Sequence, residues 1–221
     1  CGTLDPLATG LLPICIGEAT KFSSFMSNLD KTYEVGIRFG IATDTGDIEG
    51  EVISKTNNNF DEIKLKNILQ TFVGPQTQIP PMYSALKQKG KPLYWWARKG
   101  VFLLRKERNI IIHNIDLISF KNYQLNIKVS CTKGTYIRSL AESIGDALMT
   151  KATVISLRRL SIGNTESNKM VLMPKSKIND ISSSVLPSDF LLKSLPKVIL
   201  IKEDVKKVRN GQSIDYNAQL E

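Results

Sequence analysis

Two stretches in the second half of the chain constrain its fold most. In Tyr123 to Cys131 the residues Tyr123, Leu125, Ile127, Val129 and Cys131 alternate with polar neighbours, the period of a strand with one buried face. The Ile-rich run Asn109 to Phe120 precedes it, with only Lys121-Asn122 between, so the two read as long strands joined by a tight turn. A hairpin of that length needs an apolar layer over one of its faces.

Helical patterns stand before and after these strands. Asp61 to Val73 carries Ile63, Leu65, Ile68, Leu69 and Phe72 at helical spacing, and after Gly134 so do Ile137, Leu140, Ala141, Ile144 and Leu148, which puts Tyr136 and Arg138 at a strand-to-helix junction. Tyr94, Trp95 and Ala97 form a short helix that Gly100 can end. Lys31 to Phe39 alternates Tyr33, Val35, Ile37 and Phe39 as another half-buried strand, and Thr153 to Ile162 is a further one. The polar stretch Ala42 to Gly50 reads as a loop and Glu51 to Lys55 as a short strand, together a hairpin with a long tip. Leu11 to Ile16 reads as a buried strand, followed by a helix over Glu18 to Leu29. Strands joined by hairpins with helices inserted between them make an α+β fold with a mixed, mainly antiparallel sheet.

Composition narrows the chemistry. The 221 residues are 42% hydrophobic and 23% charged, with a net charge of +9 and pI near 9.4. Such a field favours an anionic partner, nucleic acid first, although a Lys-, Asn- and Ile-rich composition raises the charge by itself. Cys1, Cys15 and Cys131 form no CxxC pair and His113 is the sole histidine, so no zinc site and no disulfide framework is expected. There is also no Gly-rich phosphate loop, and the expectation is an enzyme with neither metal nor cofactor. No window approaches 18 apolar residues and no charged-then-apolar signal segment opens the chain, so the protein is expected in the cytoplasm and off the membrane; a monomer is expected.

Asp5 stands in GTLDPLATG (Gly2 to Gly10). A residue before proline is held extended, so Leu4-Asp5-Pro6 presents its carboxylate on a constrained loop; an isolated Asp-Pro would be an ordinary turn opener. Here it is followed by LLPICIGEATK (Leu11 to Lys21), KTYEV (Lys31 to Val35), TDTGD (Thr43 to Asp47) with Gly50, IPPMYSALK (Ile79 to Lys87), KGTYIRSL (Lys133 to Leu140) and SLRRL (Ser156 to Leu160). In this order and spacing the segments resemble the TruB family of pseudouridine synthases, which modify the T loop of tRNA, and the resemblance runs from Gly2 to about Met173.

The resemblance implies isomerisation of a uridine, position 55 of the T arm of tRNA, to pseudouridine. Asp5 would be the catalytic carboxylate and Arg138 its partner, since a guanidinium can hold both carboxylate oxygens. Without the resemblance Arg138 would pass for a solvated helix residue. Tyr33 resembles the stacking tyrosine of the uracil pocket, although Val35, Ile37 and Phe39 share its face and make a core role its rival. Tyr136 and Leu157 resemble further pocket positions, and Asp47 a residue near the substrate. Lys21, Lys87, Arg158 and Arg159 are expected to bind RNA, with Lys89, Lys91, Arg105, Lys106 and Arg108 as further basic positions. IPPMYSALK resembles a mobile element placed against the T loop.

The implied organisation is a pseudouridine synthase catalytic domain over 1–190, lacking its N-terminal part, and the start of a PUA-like β domain over 191–221, with Ser182 to Ser184 in the linker. The family's histidine before the aspartate motif and its N-terminal Lys-Pro strand are not in this chain, and Cys1 stands where Thr is frequent. Guide-RNA-directed synthases share a similar aspartate motif, but IPPMYSALK and the compact length argue against that class. A tRNA-binding or tRNA-folding protein without turnover is the rival from another class, and a basic domain unrelated to RNA the third reading.

Overall fold

The computed structural model describes residues 2–57, 59–172, 185–192, 195–196 and 198–214. In chain order its strands are β1 (Thr9–Gly10), β2 (Lys31–Phe39), β3 (Ile41–Thr43), β4 (Val52–Lys55), β5 (Gly74–Gln78), β6 (Lys87–Gln88), β7 (Lys91–Pro92), β8 (Arg108–Lys121), β9 (Gln124–Cys131), β10 (Ala152–Ile162) and β11 (Thr165–Glu166). The helices are α1 (Ser23–Ser27), α2 (Glu62–Thr71), α3 (Leu93–Ala97), α4 (Ile137–Ala147) and α5 (Lys202–Arg209). Two compact units divide the chain, residues 1–172 and 173–221.

The expected long hairpin is β8–β9. Its turn is Asn122-Tyr123, both in the left-handed region (φ 51 and 57), the two-residue geometry that matches strand twist. Tyr123 therefore belongs to the turn and not to the strand. The hairpin joins a seven-stranded sheet of order β1-β10-β2-β9-β8-β5, with β11 also on β10. Every pair is antiparallel except β1 with β10, so the sheet is mixed and mainly antiparallel, as expected.

One face of this sheet is apolar. Val35, Ile37, Leu125, Ile127, Val129 and Val154 meet Leu65 and Leu69 of α2 and Leu140, Ala141, Ile144 and Leu148 from α4 and its end in one core. The alternate residues Glu34, Arg38, Lys128 and Arg158 are exposed, the one-sided burial an antiparallel sheet permits. Asp61 caps α2 by accepting the Lys64 N–H at 2.7 Å.

Three expectations change. Leu11 to Ile16 is no strand: Leu11 is buried but Leu12, Ile14 and Ile16 are exposed, and only Thr9 and Gly10 pair with β10. Pro13 brings no N–H to a ladder. The helix over Glu18 to Leu29 is a 3-10 stretch, Gly17–Phe22, followed by the short α1. Of its apolar stripe only Met26 is buried, too little packing to hold a longer helix. The strand over Glu51 to Lys55 pairs with β3, inside the expected loop, and not with β2; Gly40 at φ 90 separates β2 from β3.

In the second unit the described elements are a 3-10 turn, Phe190–Leu192, and α5, which bears Glu203 and Asp204 in its first turn and Lys206, Lys207 and Arg209 in its last, complementing the helix dipole. The expected linker Ser182 to Ser184 lies outside the described residues.

Candidate active site

The loop carrying Asp5 is built on β10. Thr9 and Gly10 pair in parallel with Arg158 and Arg159, and the Leu11 N–H donates to the Arg159 carbonyl at 2.9 Å. Gly10 has φ +98, and a Cβ there would stand 2.3 Å from the Arg159 oxygen, so only glycine lets the loop seat this closely. Upstream, the Ala8 N–H closes a turn onto the Asp5 carbonyl at 2.9 Å. The turn and the extended residue before Pro6 hold the Asp5 side chain at the sheet end where α4 begins.

Arg138 lies in the first turn of α4 and is buried. Its Nε donates to Asp5 Oδ2 at 2.7 Å, its Nη1 to the Thr45 carbonyl at 2.7 Å and its Nη2 to the Tyr83 carbonyl at 2.8 Å. The expected two-oxygen grip on Asp5 is therefore a one-oxygen contact, because the rest of the guanidinium is spent on two loops. Those bonds tie the aspartate to the β3–β4 tip and to the Ile79 to Lys87 segment. The Asp5 side chain keeps 32% exposure against 4% for Arg138, which leaves the carboxylate reachable from the pocket.

Asp47 stands behind this contact and is not among the residues lining the pocket that holds Asp5. Its Oδ2 is 3.8 Å from Arg138 Nη1, while its Oδ1 accepts from Thr45 Oγ1 at 2.7 Å and the Glu49 N–H at 3.1 Å. The tip is pinned to β10 through Ile48 N–H to Val154 O (2.9 Å) and Val154 N–H to Gly46 O (3.1 Å). Asp47 thus fixes a turn and adds negative charge beside the guanidinium.

Asp5, Tyr33, Tyr136 and Leu157 share one pocket with Ile137, Leu4, Thr3 and Thr135. Burial pushes the phenol pKa of both Tyr33 and Tyr136 upward, so both are neutral rings at neutral pH. A flat aromatic face beside apolar walls suits an unstacked base.

Gln78, on β5, escaped the sequence reading. Its Nε2 donates to the Tyr136 carbonyl at 2.9 Å and its Oε1 accepts the Tyr136 N–H at 2.7 Å. Tyr136 is the N-cap of α4 and has no side-chain cap of its own, so this amide clamp sets the helix start. A polar residue just before the Pro80-Pro81 break gave no signal beyond its type.

Of the expected RNA-binding cations, Lys21, Lys87 and Arg158 are exposed; Lys21 pairs with Glu18, and Arg158 Nη1 is 3.5 Å from Thr9 Oγ1. Arg159 is corrected. It is 1% exposed and donates from Nε to the Leu11 carbonyl at 2.7 Å and from Nη2 to the Gly2 carbonyl at 3.0 Å, so its guanidinium is not presented to a phosphate. The strand period offered the clue, since Arg159 lies two residues from the inward Leu157. Among the described residues no group of three or more His, Cys, Asp or Glu side chains is placed to hold a metal ion.

Comparison with known proteins gives the family. The family model for the TruB family pseudouridylate synthase (N terminal domain) matches residues 1–137. A protein of Chromobacterium violaceum named tRNA pseudouridine synthase B is 43% identical over 223 residues, covering 100% of this chain and 73% of that protein. Its namesake in Nitrosomonas europaea is 44% identical over 224 residues, covering 98% and 72%. Among solved structures, a Cbf5-Nop10-Gar1 complex matches with TM-score 0.57 at 24% identity over 77% of this chain and 42% of that chain. An H/ACA RNP bound to a substrate RNA containing 2'-deoxyuridine matches at 0.55 and 21%, over 77% and 40%. The chain spans less than half of those longer chains, and the likeness to them is one of fold. From the matched residues and the identities over nearly its whole length, the chain belongs to the TruB family of pseudouridylate synthases.

Proposed function

We propose that the protein is a tRNA pseudouridine synthase that isomerises uridine 55 in the T arm, acting as a cytoplasmic monomer without a metal or cofactor. The carrying observation is the 2.7 Å contact of Arg138 Nε with Asp5 Oδ2 at a pocket shared by Tyr33, Tyr136 and Leu157. In the reaction the N1–C1' bond of uridine breaks, the uracil turns, and C5 bonds to C1'. The C5 proton leaves to solvent and N1 takes one up, so nothing is oxidised or added and the chemistry calls for no redox group.

Asp5 acts as a nucleophile on the sugar or base, or as a general base at the ribose 2' carbon. Its loop and the one-oxygen contact with Arg138 orient it for either role. The target base leaves its stack and lies against Tyr33, with Tyr136 and Leu157 as further walls. Lys21, Lys87 and Arg158 meet phosphates. Residues 191–221 are read as the start of a PUA-like RNA-binding domain, a reading that rests on their resemblance to one.

The test uses T-arm minihelices carrying 5-tritiated uridine at the target position or lacking that uridine. Tritium release from the first alone supports the reading. The net charge of +9 equally favours a tRNA-binding protein without turnover, and binding with no release would decide for that alternative.

A further inference from the structure

Among the described residues Arg159 is the largest fully buried side chain, and no ion pair to it occurs among them. Removing a guanidinium from water is costly without a carboxylate, and an apolar residue would fill the same volume without that cost. What Arg159 holds instead are carbonyls on both sides of Asp5 in the chain: Gly2 before it and Leu11 after it. Its own carbonyl receives the Leu11 N–H, so main chain and side chain grip the same loop.

Its second neighbour is Tyr33. In the register of β10 against β2, Arg159 stands opposite Tyr33 and Leu157 opposite Val35, and directly opposed residues share a face. The guanidinium acts electrostatically on the Tyr33 phenol, against the upward push of burial. One planar, permanently charged fork thus bonds the loop that carries the carboxylate and stands opposite the ring expected to stack on the base.

We propose that Arg159 is a positioning residue of the isomerisation site, clamping the two ends of the Asp5 loop and fixing the Tyr33 ring relative to Asp5. The proposal rests on the pseudouridine synthase reading. It accounts for a charge kept in the interior, since a flexible ammonium or an apolar chain cannot fix two acceptors in one plane.

The experiment compares full-length wild-type protein with Arg159→Met and Arg159→Lys. Single-turnover tritium release is measured at saturating tRNA, alongside tRNA affinity at two salt concentrations and the melting temperature. The rate constant should fall about 100-fold for Arg159→Met and about tenfold for Arg159→Lys, the scale of losing reacting geometry from a distance. Affinity and its salt slope should stay within about twofold, because no phosphate contact is removed. Arg159→Lys combined with Tyr33→Phe should lose less than the product of the two single losses.

A wild-type rate constant in both variants would overturn the proposal, as would a lower melting temperature with an unchanged rate per folded molecule. A loss confined to affinity, with a shallower salt slope, would make Arg159 a phosphate contact and also overturn it. If Arg159→Met does not fold, Arg159→Lys carries the same comparison. Absence of release in the wild type would sink the underlying synthase reading, and the proposal with it.

Discussion

Replacing Gln78 by Leu tests whether the start of α4 is set from a neighbouring strand. The side chain is buried and makes two bonds to the backbone of one residue, accepting the Tyr136 N–H at 2.7 Å and donating to the Tyr136 carbonyl at 2.9 Å. Leucine keeps the approximate volume and removes both. The Tyr136 carbonyl still accepts from the Leu140 N–H at 3.0 Å, whereas its N–H has no substitute in the cap. A buried donor left unpaired costs about 1–3 kcal/mol and the second bond about 1 kcal/mol, so roughly 2–4 kcal/mol of stability should be lost. Urea unfolding should show a lower midpoint at an unchanged slope. Turnover should fall more than tRNA affinity, since Tyr136 and Arg138 sit on the first turn that would shift. Gln78→Glu sharpens the test: it keeps an acceptor for the N–H but sets an oxygen against the carbonyl, so stability should recover on acidification that protonates the introduced carboxyl. A loss below about 0.5 kcal/mol with full activity would refute the clamp.

Further outcomes follow from the same geometry. Arg138→Lys keeps a charge but cannot serve the Asp5 oxygen and both the Thr45 and Tyr83 carbonyls; it should cost about 1–3 kcal/mol in denaturant unfolding and at least about 100-fold in the single-turnover rate. Gly10→Ala drives a Cβ to 2.3 Å from the Arg159 carbonyl at φ +98 and should destabilise by about 2 kcal/mol or more, read by thermal melting. Burial pushes the Cys131 thiol from 9.0 up to about 11, so between those pH values the unfolded chain has released a proton that the folded one keeps. Stability from this thiol is present below pH 9.0 and lost as pH rises towards about 11, by about 2–3 kcal/mol in total. Cys131→Ala should flatten that part of the stability profile, and an unchanged slope would contradict the assignment.

The long elements were legible because their burial has a single period. The alternating run that ends at Cys131 is β9 from Gln124 onward, with Tyr123 in the turn before it, and the stripe from Ile137 to Leu148 is α4 and its C-cap, with Arg138 in the first turn. Leu11 to Ile16 was not, because its apolar residues alternate with nothing and Leu12, Ile14 and Ile16 face solvent. Asp5, Tyr33, Tyr136 and Leu157 were brought together as the family resemblance implied. Residue type marks a charged side chain as a surface or substrate contact, whereas the Arg159 guanidinium meets the backbone carbonyls of distant Gly2 and Leu11, and the Asp47 carboxylate meets Thr45 and Glu49 of its own turn beside Arg138. Gln78 was invisible on the same ground, since its two partners belong to a residue far along the chain.

The central claim is that Asp5 performs the chemistry while Arg138 and the β10-anchored loop only hold it. Single-turnover tritium release by Asp5→Asn at saturating tRNA tests this most directly, with tRNA affinity measured on the same preparation. Asparagine keeps the side-chain shape and an acceptor for Arg138 Nε. Release should vanish while affinity stays within about threefold of wild type, because the substitution spares the pocket walls and the exposed cations. Release by Asp5→Asn at a rate near that of the wild type would contradict the account.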